Sequence, residues 1–233
     1  MRYEKRTAAC RIEGTLNINE EVTDDALAAA ELLRDEDLVS DGDVIVAGHS
    51  LGGALAPRIA TEDRGLAGLA MLAAPARPLT EVLVDQYEYL ANLDGTVTEM
   101  EGERLDEVRT AVDRIESGDV GQEETVLGAS GAYWNSLLAY DPTATADALG
   151  RPAFVLQGER DYQVTVEGDL TEWRVAFADN ADARIEQYPS LNHLFMPGEG
   201  QPTPAEYYEP SHVAESVVAD LASWVRDTVD VGQ

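Results

Sequence analysis

Apolar residues fall along this chain in two kinds of run. Val44-Ile45-Val46-Ala47, Leu66 to Ala74, Pro152 to Gln157 and Ala183 to Tyr188 are short stretches with sheet character. The uninterrupted ones fit strands buried on both faces of a parallel sheet. Other segments repeat at helical spacing. Val22, Ala26, Ala29, Ala30 and Leu33 predict a helix from Asn19 to about Asp35, with Glu20, Glu21, Asp24 and Asp25 crowding its start. Acids are favoured there by the helix dipole. Ser40 to Asp43 reads as a turn, Ala54 to about Thr61 as a helix, and Asp169 to Phe177 as another. A last helix runs from about His212 to Arg226, burying Val213, Val217, Leu221, Trp224 and Val225. Strands that alternate with helices predict a parallel sheet covered on both sides.

From Leu79 to about Ala148 the pattern changes. No strand signal appears, and Leu83, Tyr87 and Leu90 mark one helix while Leu105, Val108, Val112 and Ile115 mark a second. Gly118 to Gly131 is a polar connection, and Tyr133 to Leu138 starts a third helix. About seventy residues are too many for a simple crossover between strands. The stretch, about 79–148, is expected to form a helical cap within a single domain spanning 1–233.

Composition sharpens this picture at one point. The 233 residues carry 45 acids against 16 Lys and Arg, a formal charge of −29, and Lys5 is the one lysine. With 44% hydrophobic residues the chain is globular, so the acids are expected on a folded, self-repelling surface of the halophilic kind. Such a coat disfavours nucleic acid and anionic membrane as partners. The lone Cys10 permits no internal disulfide and fits a small packed residue. Without a leader or an apolar run of membrane-spanning length, a cytoplasmic location is expected.

The candidate chemistry centres on Gly48-His49-Ser50-Leu51-Gly52-Gly53, between a strand and a helix. Strand, G-x-S-x-G and helix make a nucleophile elbow, with the serine raised on a strained turn. A side chain at position 48 or 52 is expected to collide with neighbouring backbone. The Leu51 N–H, next in line, is placed to bind an oxyanion. A serine hydroxyl needs a base, and the base an orienting acid. Asp161 follows the strand ending at Gln157, and His193 follows the strand ending at Tyr188, so both are carried at strand carboxyl ends. Glu159 and Asp141 are rivals for the acid. Of the three histidines, His49 points away from the elbow as packing or pocket wall, and His212 is a capping or loop residue. Tyr133, Trp134 and Tyr140 from the cap, with Tyr162 and Phe195 from the loops, line a substrate pocket or pack in the core.

Taken in order, these motifs resemble the α/β-hydrolase superfamily, and within it the dienelactone-hydrolase-like carboxylesterases. The resemblance runs through Arg2 to Thr7, Gly48 to Gly53, Ala76 to Leu79, Leu156 to Val164, Leu191 to Phe195 and Pro202 to Tyr207. It implies an α/β-hydrolase fold, Ser50 as nucleophile, Asp161 as acid and His193 as base. It further implies hydrolysis of small carboxylic esters with no metal and no organic cofactor; thioester or peptide cleavage on the same residues is the rival chemistry.

The chain departs from the family pattern at its start. The residues around Met1 read as the end of a sheet strand, and the early strands and the loop carrying a second oxyanion donor are missing. A sheet truncated on its amino-terminal side is therefore expected, with an apolar edge that a partner such as a second copy of the chain would cover. A missing donor typically costs about 10²–10³ in turnover. A catalytically impaired module is the corresponding alternative.

Overall fold

Strand and helix alternate where the apolar runs and helical spacings alternate. In the computed structural model, which describes residues 1–9, 14–40 and 42–230, a short helix α1 (Arg6–Ala9) leads to a π-helical turn, Asn19–Thr23, that runs directly into α2 (Asp24–Arg34). Strand β1 (Ile45–His49), helix α3 (Leu51–Glu62) and strand β2 (Gly68–Leu72) follow. The excursion after β2 contains α4 (Leu79–Ala91), α5 (Glu99–Glu116), a hairpin of β3 (Thr125–Val126) and β4 (Ala129–Ser130), α6 (Gly131–Leu138) and α7 (Pro142–Leu149). The chain then returns to β5 (Ala153–Gly158), α8 (Thr171–Ala176), β6 (Ala183–Tyr188) and α9 (Glu215–Asp230). Cys10 and Asp41 lie outside the described residues.

The main sheet has the order β1-β2-β5-β6, and every pairing is parallel. His49 lies opposite Leu72, Leu72 opposite Leu156, and Gly158 opposite Tyr188. The loops that leave β1, β5 and β6 therefore emerge along one rim. On one face Leu69, Met71 and Val155 meet Leu55, Ile59, Leu170 and Trp173. On the other, Ala70, Phe154 and Leu156 meet Val217 and Trp224 of α9, with the Phe154 and Trp224 rings 5.7 Å apart. Burying each such large apolar side chain contributes about 1.5–3 kcal/mol, which fixes the strand register. Among the described residues no helix is long and apolar enough to cross a membrane.

Three expectations change. The stretch around Met1 is not the end of a strand: residues 1–5 have no regular structure and 6–9 are helical. Charge explains the pose, because Arg6 is drawn onto Asp25 of α2 (Nε to Oδ1 2.7 Å) and Lys5 onto Glu21 of the π-helical turn at 3.2 Å. β1 accordingly forms one edge of the sheet. The stretch 79–148 includes the β3–β4 hairpin as well as helices. Its last helix, α7, starts from an Asp141 cap and packs on α3 and α8 beside the main sheet.

Candidate active site

Backbone geometry at the end of β1 sets the first side chain. Ser50 sits at φ 54°, ψ −124°, a conformation that non-glycine residues rarely adopt. Such strain costs about 1–3 kcal/mol and persists where the surroundings enforce it. Here the Ser50 N–H donates to the Leu72 carbonyl at 2.9 Å, and the Ser50 carbonyl accepts from Gly53 at 2.8 Å and Ala54 at 3.1 Å. A Cβ on Gly48 would come within 2.1 Å of the Gly52 carbonyl oxygen, and one on Gly53 within 2.8 Å of the Ala74 Cβ. Position 52 differs from expectation. A Cβ there meets nothing within 4 Å, so the steric demand falls on Gly48 and Gly53. Leu51 is the first residue of α3, and a first-turn N–H has no acceptor within its own helix.

The second and third side chains meet across the same rim. Asp161, three residues past β5, is 4% exposed, and its Oδ2 is 2.8 Å from His193 Nδ1. A carboxylate only accepts, so Nδ1 carries the proton and Nε2 is left as the lone-pair nitrogen. Asp161 is held firmly: Oδ1 accepts from the N–H groups of Gln163 at 2.8 Å and Val164 at 3.0 Å, and Oδ2 from Gln157 Nε2 at 3.1 Å. The other two carboxylates considered for this place are engaged elsewhere. Asp141 caps α7, accepting from Ala144 N–H at 2.9 Å, and exposed Glu159 contacts Gln187.

The loop after β6 carries His193 across the end of β5. Arg160 N–H donates to the Leu191 carbonyl at 3.0 Å, and a Cβ on Gly158 would lie 2.3 Å from that same oxygen. The loop then reaches the elbow. His49 Nε2 donates to the His193 carbonyl at 2.8 Å, with the two rings 4.7 Å apart, so His49 faces the loop of His193. Desolvation by burial pushes the His49 imidazole below its ordinary value, although the side chain keeps contact with solvent. The Ser50 hydroxyl makes no hydrogen bond to His193 among the described residues.

The aromatic candidates divide. Phe195 is buried at φ 56°, its ring 6.4 Å from His49 and 6.1 Å from Tyr188. Tyr162 stacks on Tyr89 at 4.9 Å, and burial followed by the charge of Asp161 raises its phenol. Tyr140 donates to the Ala54 carbonyl at 2.9 Å and lines a cleft of about 480 Å³ that reaches Leu51, with Leu79, Leu137 and Leu138 on its walls. Tyr133 lines a different cavity, beside Leu16 and Glu21. Trp134 is buried against Ile115 and Val120, its Nε1 donating to the Val126 carbonyl at 2.8 Å. His212 is an exposed loop residue ahead of α9.

Sequence reasoning passed over Gln157 and Asn192. A glutamine closing the apolar run 153–156 was the available signal, since a buried amide must find partners. Gln157 finds the carbonyls of Gly158 at 3.1 Å and Val164 at 2.8 Å besides Asp161.

Residues 13–222 match the model of the alpha/beta hydrolase family. The chain is 37% identical over 226 residues to Esterase EstD of Thermotoga maritima. That alignment covers 97% of this chain and 52% of the relative, so the chain spans about half of that protein's length. The fold is similar to the alpha/beta hydrolase GrgF of Penicillium sp. sh18, with TM-score 0.56 and 13% identity over 94% of this chain and 75% of that one. It is also similar to the monoacylglycerol lipase of Paleococcus ferrophilus, with TM-score 0.51 and 15% identity over 94% and 79% of the two chains. At such identities the likeness shows the fold alone. With the family model matched over nearly all of its length, this chain belongs to the alpha/beta hydrolase family.

Proposed function

We propose that this chain hydrolyses carboxylic esters by acyl transfer through Ser50, with His193 as base and Asp161 as the acid that orients it. One observation carries the reading: the His193 imidazole is fixed by a 2.8 Å bond to buried Asp161 while its own carbonyl is bound to His49, the neighbour of the strained Ser50. The name of the relative at 37% identity, an esterase, supports the reaction class.

In the first step His193 Nε2 takes the Ser50 proton as Oγ attacks the ester carbonyl carbon. The carbonyl π pair moves to oxygen, and the Leu51 N–H steadies the oxyanion. Collapse expels the alcohol, which receives the proton from Nε2, and leaves an acyl-Ser50 ester. Water then attacks that ester, giving its proton to Nε2, and the carboxylic acid leaves as Ser50 recovers its proton. Asp161 keeps Nδ1–H paired throughout and stabilises the imidazolium that forms in each half. The cleft beside Leu51, with apolar walls from Leu79, Leu137 and Leu138, offers the organic part of the ester a dry surface.

A panel of p-nitrophenyl esters of increasing chain length, with thioesters and peptide anilides alongside, tests the proposal. Turnover of oxygen esters that Ser50→Ala abolishes is expected. Equal ester turnover by the Ser50→Ala variant would remove the reading.

A further inference from the structure

The stretch Pro202 to Tyr207 has no part in the chemistry above, yet it binds both loops that carry the acid and the base. Its Glu206 pairs with Arg160, the residue before Asp161, with Arg160 Nη1 at 3.2 Å from Oε2 and Nη2 bound to Oε1. The same Oε2 accepts from Asn192 Nδ2, in the residue before His193, at 3.1 Å. Both neighbours are buried, Arg160 at 9% exposure and Asn192 at 1%.

Neither partner can swing freely. Arg160 also donates to the carbonyls of Gly200 and Glu199, each at 3.1 Å, and a Cβ on Gly198 would lie 2.0 Å from its Nη1. Asn192 Oδ1 accepts from the N–H groups of Leu194 and Met196, both at 3.1 Å, which closes the turn carrying His193. The segment is itself moored, Tyr89 donating to the Pro202 carbonyl at 2.8 Å and Gln163 Nε2 to Tyr207 at 3.1 Å.

We propose that Glu206 is a positioning residue, a clamp that joins Arg160 to Asn192 and thereby sets the separation of the Asp161 carboxylate and the His193 imidazole. Asp161 and His193 sit on separate loops, and a bond between them keeps its length only if the loops keep their spacing. Backbone contacts at Leu191 supply one tie, and the Glu206 carboxylate supplies a second one step from each functional side chain. A charged, partly buried partner suits this task, because losing it leaves buried Arg160 uncompensated and drives that loop to rearrange. The clamp rests on the roles given above to Asp161 and His193, so its test needs a readout that does not depend on turnover.

That readout is the far-downfield proton resonance of His193 Nδ1–H, assigned by its loss in Asp161→Asn. Two variants cut the clamp differently. Glu206→Gln keeps the size and one acceptor but ends the charged, two-pronged pairing with Arg160. Asn192→Asp keeps the acceptor for Leu194 and Met196 but sets a carboxylate against Glu206. In each folded variant, checked by circular dichroism, the resonance is expected to broaden or move upfield. Ester turnover should fall in kcat by up to about 100-fold with KM changed less than about twofold, as misplacement by an ångström or less would give. An unchanged resonance in Glu206→Gln, or no such resonance in the parent protein, overturns the clamp whatever the turnover. A resonance lost in both variants while the parent cleaves no ester leaves the clamp standing and removes the ester reading instead.

Discussion

His49 Nε2 lies 2.8 Å from the backbone carbonyl of His193, which ties the residue before the strained serine to the loop of the proposed base. A carbonyl accepts, so His49 must carry its proton on Nε2. Its pKa is lowered: desolvation by burial lowers it most, the His193 carbonyl opposes this, the His193 ring adds to the lowering and the Asp161 charge opposes it. Between the folded value and the ordinary value near 6.5 the unfolded chain binds more protons, so stability is fully present above about pH 6.5 and is lost as pH falls through the folded value. His49→Gln, which donates without titrating, should flatten that part of the curve. Melting temperature from pH 8 to 5 for both proteins checks it, and parallel curves would contradict it. His49→Ala should lower turnover by up to about tenfold, the worth of one hydrogen bond.

Asp161 is expected to matter through the tautomer it enforces. An amide at 161 can still accept from Gln163 and Val164, whose N–H groups lie 2.8 and 3.0 Å from Oδ1, so the loop should hold its shape. The Nδ1–H preference and the counter-charge would be gone. Asp161→Asn should therefore lower kcat by about 10⁴-fold, as loss of the orienting carboxylate does in serine hydrolases. Steady-state kinetics beside a thermal melt reads both effects, and a loss below tenfold would argue against the assigned role.

The elbow glycines should separate by contact, not by motif. Gly48→Ala forces a Cβ to 2.1 Å from backbone oxygen, and Gly53→Ala meets both the Ala74 Cβ at 2.8 Å and the Gly48 carbonyl at 2.9 Å. Each is expected to cost about 3 kcal/mol or more, at the upper end for overpacking. Gly52→Ala points into open space and should cost less than about 1 kcal/mol. Urea denaturation of the three variants gives the ranking, and a destabilised Gly52→Ala would contradict it.

Salt should stabilise the fold. The exposed ion pairs, such as Arg109–Glu88 and Arg114–Glu124 at 2.7 Å each, contribute little to stability because solvent screens them. The repulsion among acids behind a net charge of −29 is the larger effect. Raising ionic strength from about 0.1 to 1 M shortens the screening length from about 10 to 3 Å and relieves that repulsion. A melting temperature that rises steadily with potassium chloride is expected; a flat or falling curve would contradict the halophilic reading.

Much of this architecture could be read from the chain because its signals are local. The β6 run, Ala183 to Tyr188, has the same limits in the sequence and in the structure. The placement of Ser50, Asp161 and His193 along one rim was legible because each follows a strand that ends there. What escaped depends on distant partners or on very short elements. His49 binds a carbonyl 144 residues away, and Arg160 meets Glu206 46 residues on, which no periodicity reports. The β3–β4 hairpin has two residues per strand around Leu127 and Gly128, both at positive φ, too few for an alternation to appear. The stretch around Met1 misled because its apolar and aromatic residues resemble a strand, while Lys5 and Arg6 are claimed by Glu21 of the π-helical turn and Asp25 of α2.

The central claim, that Ser50 becomes acylated with His193 as its base, is tested most directly by intact-mass analysis after reaction with a fluorophosphonate. The account predicts one adduct, mapped by peptide mass to Ser50, absent in Ser50→Ala and formed far more slowly in His193→Ala. An adduct on another residue, or equal labelling rates with and without the imidazole at 193, would contradict it.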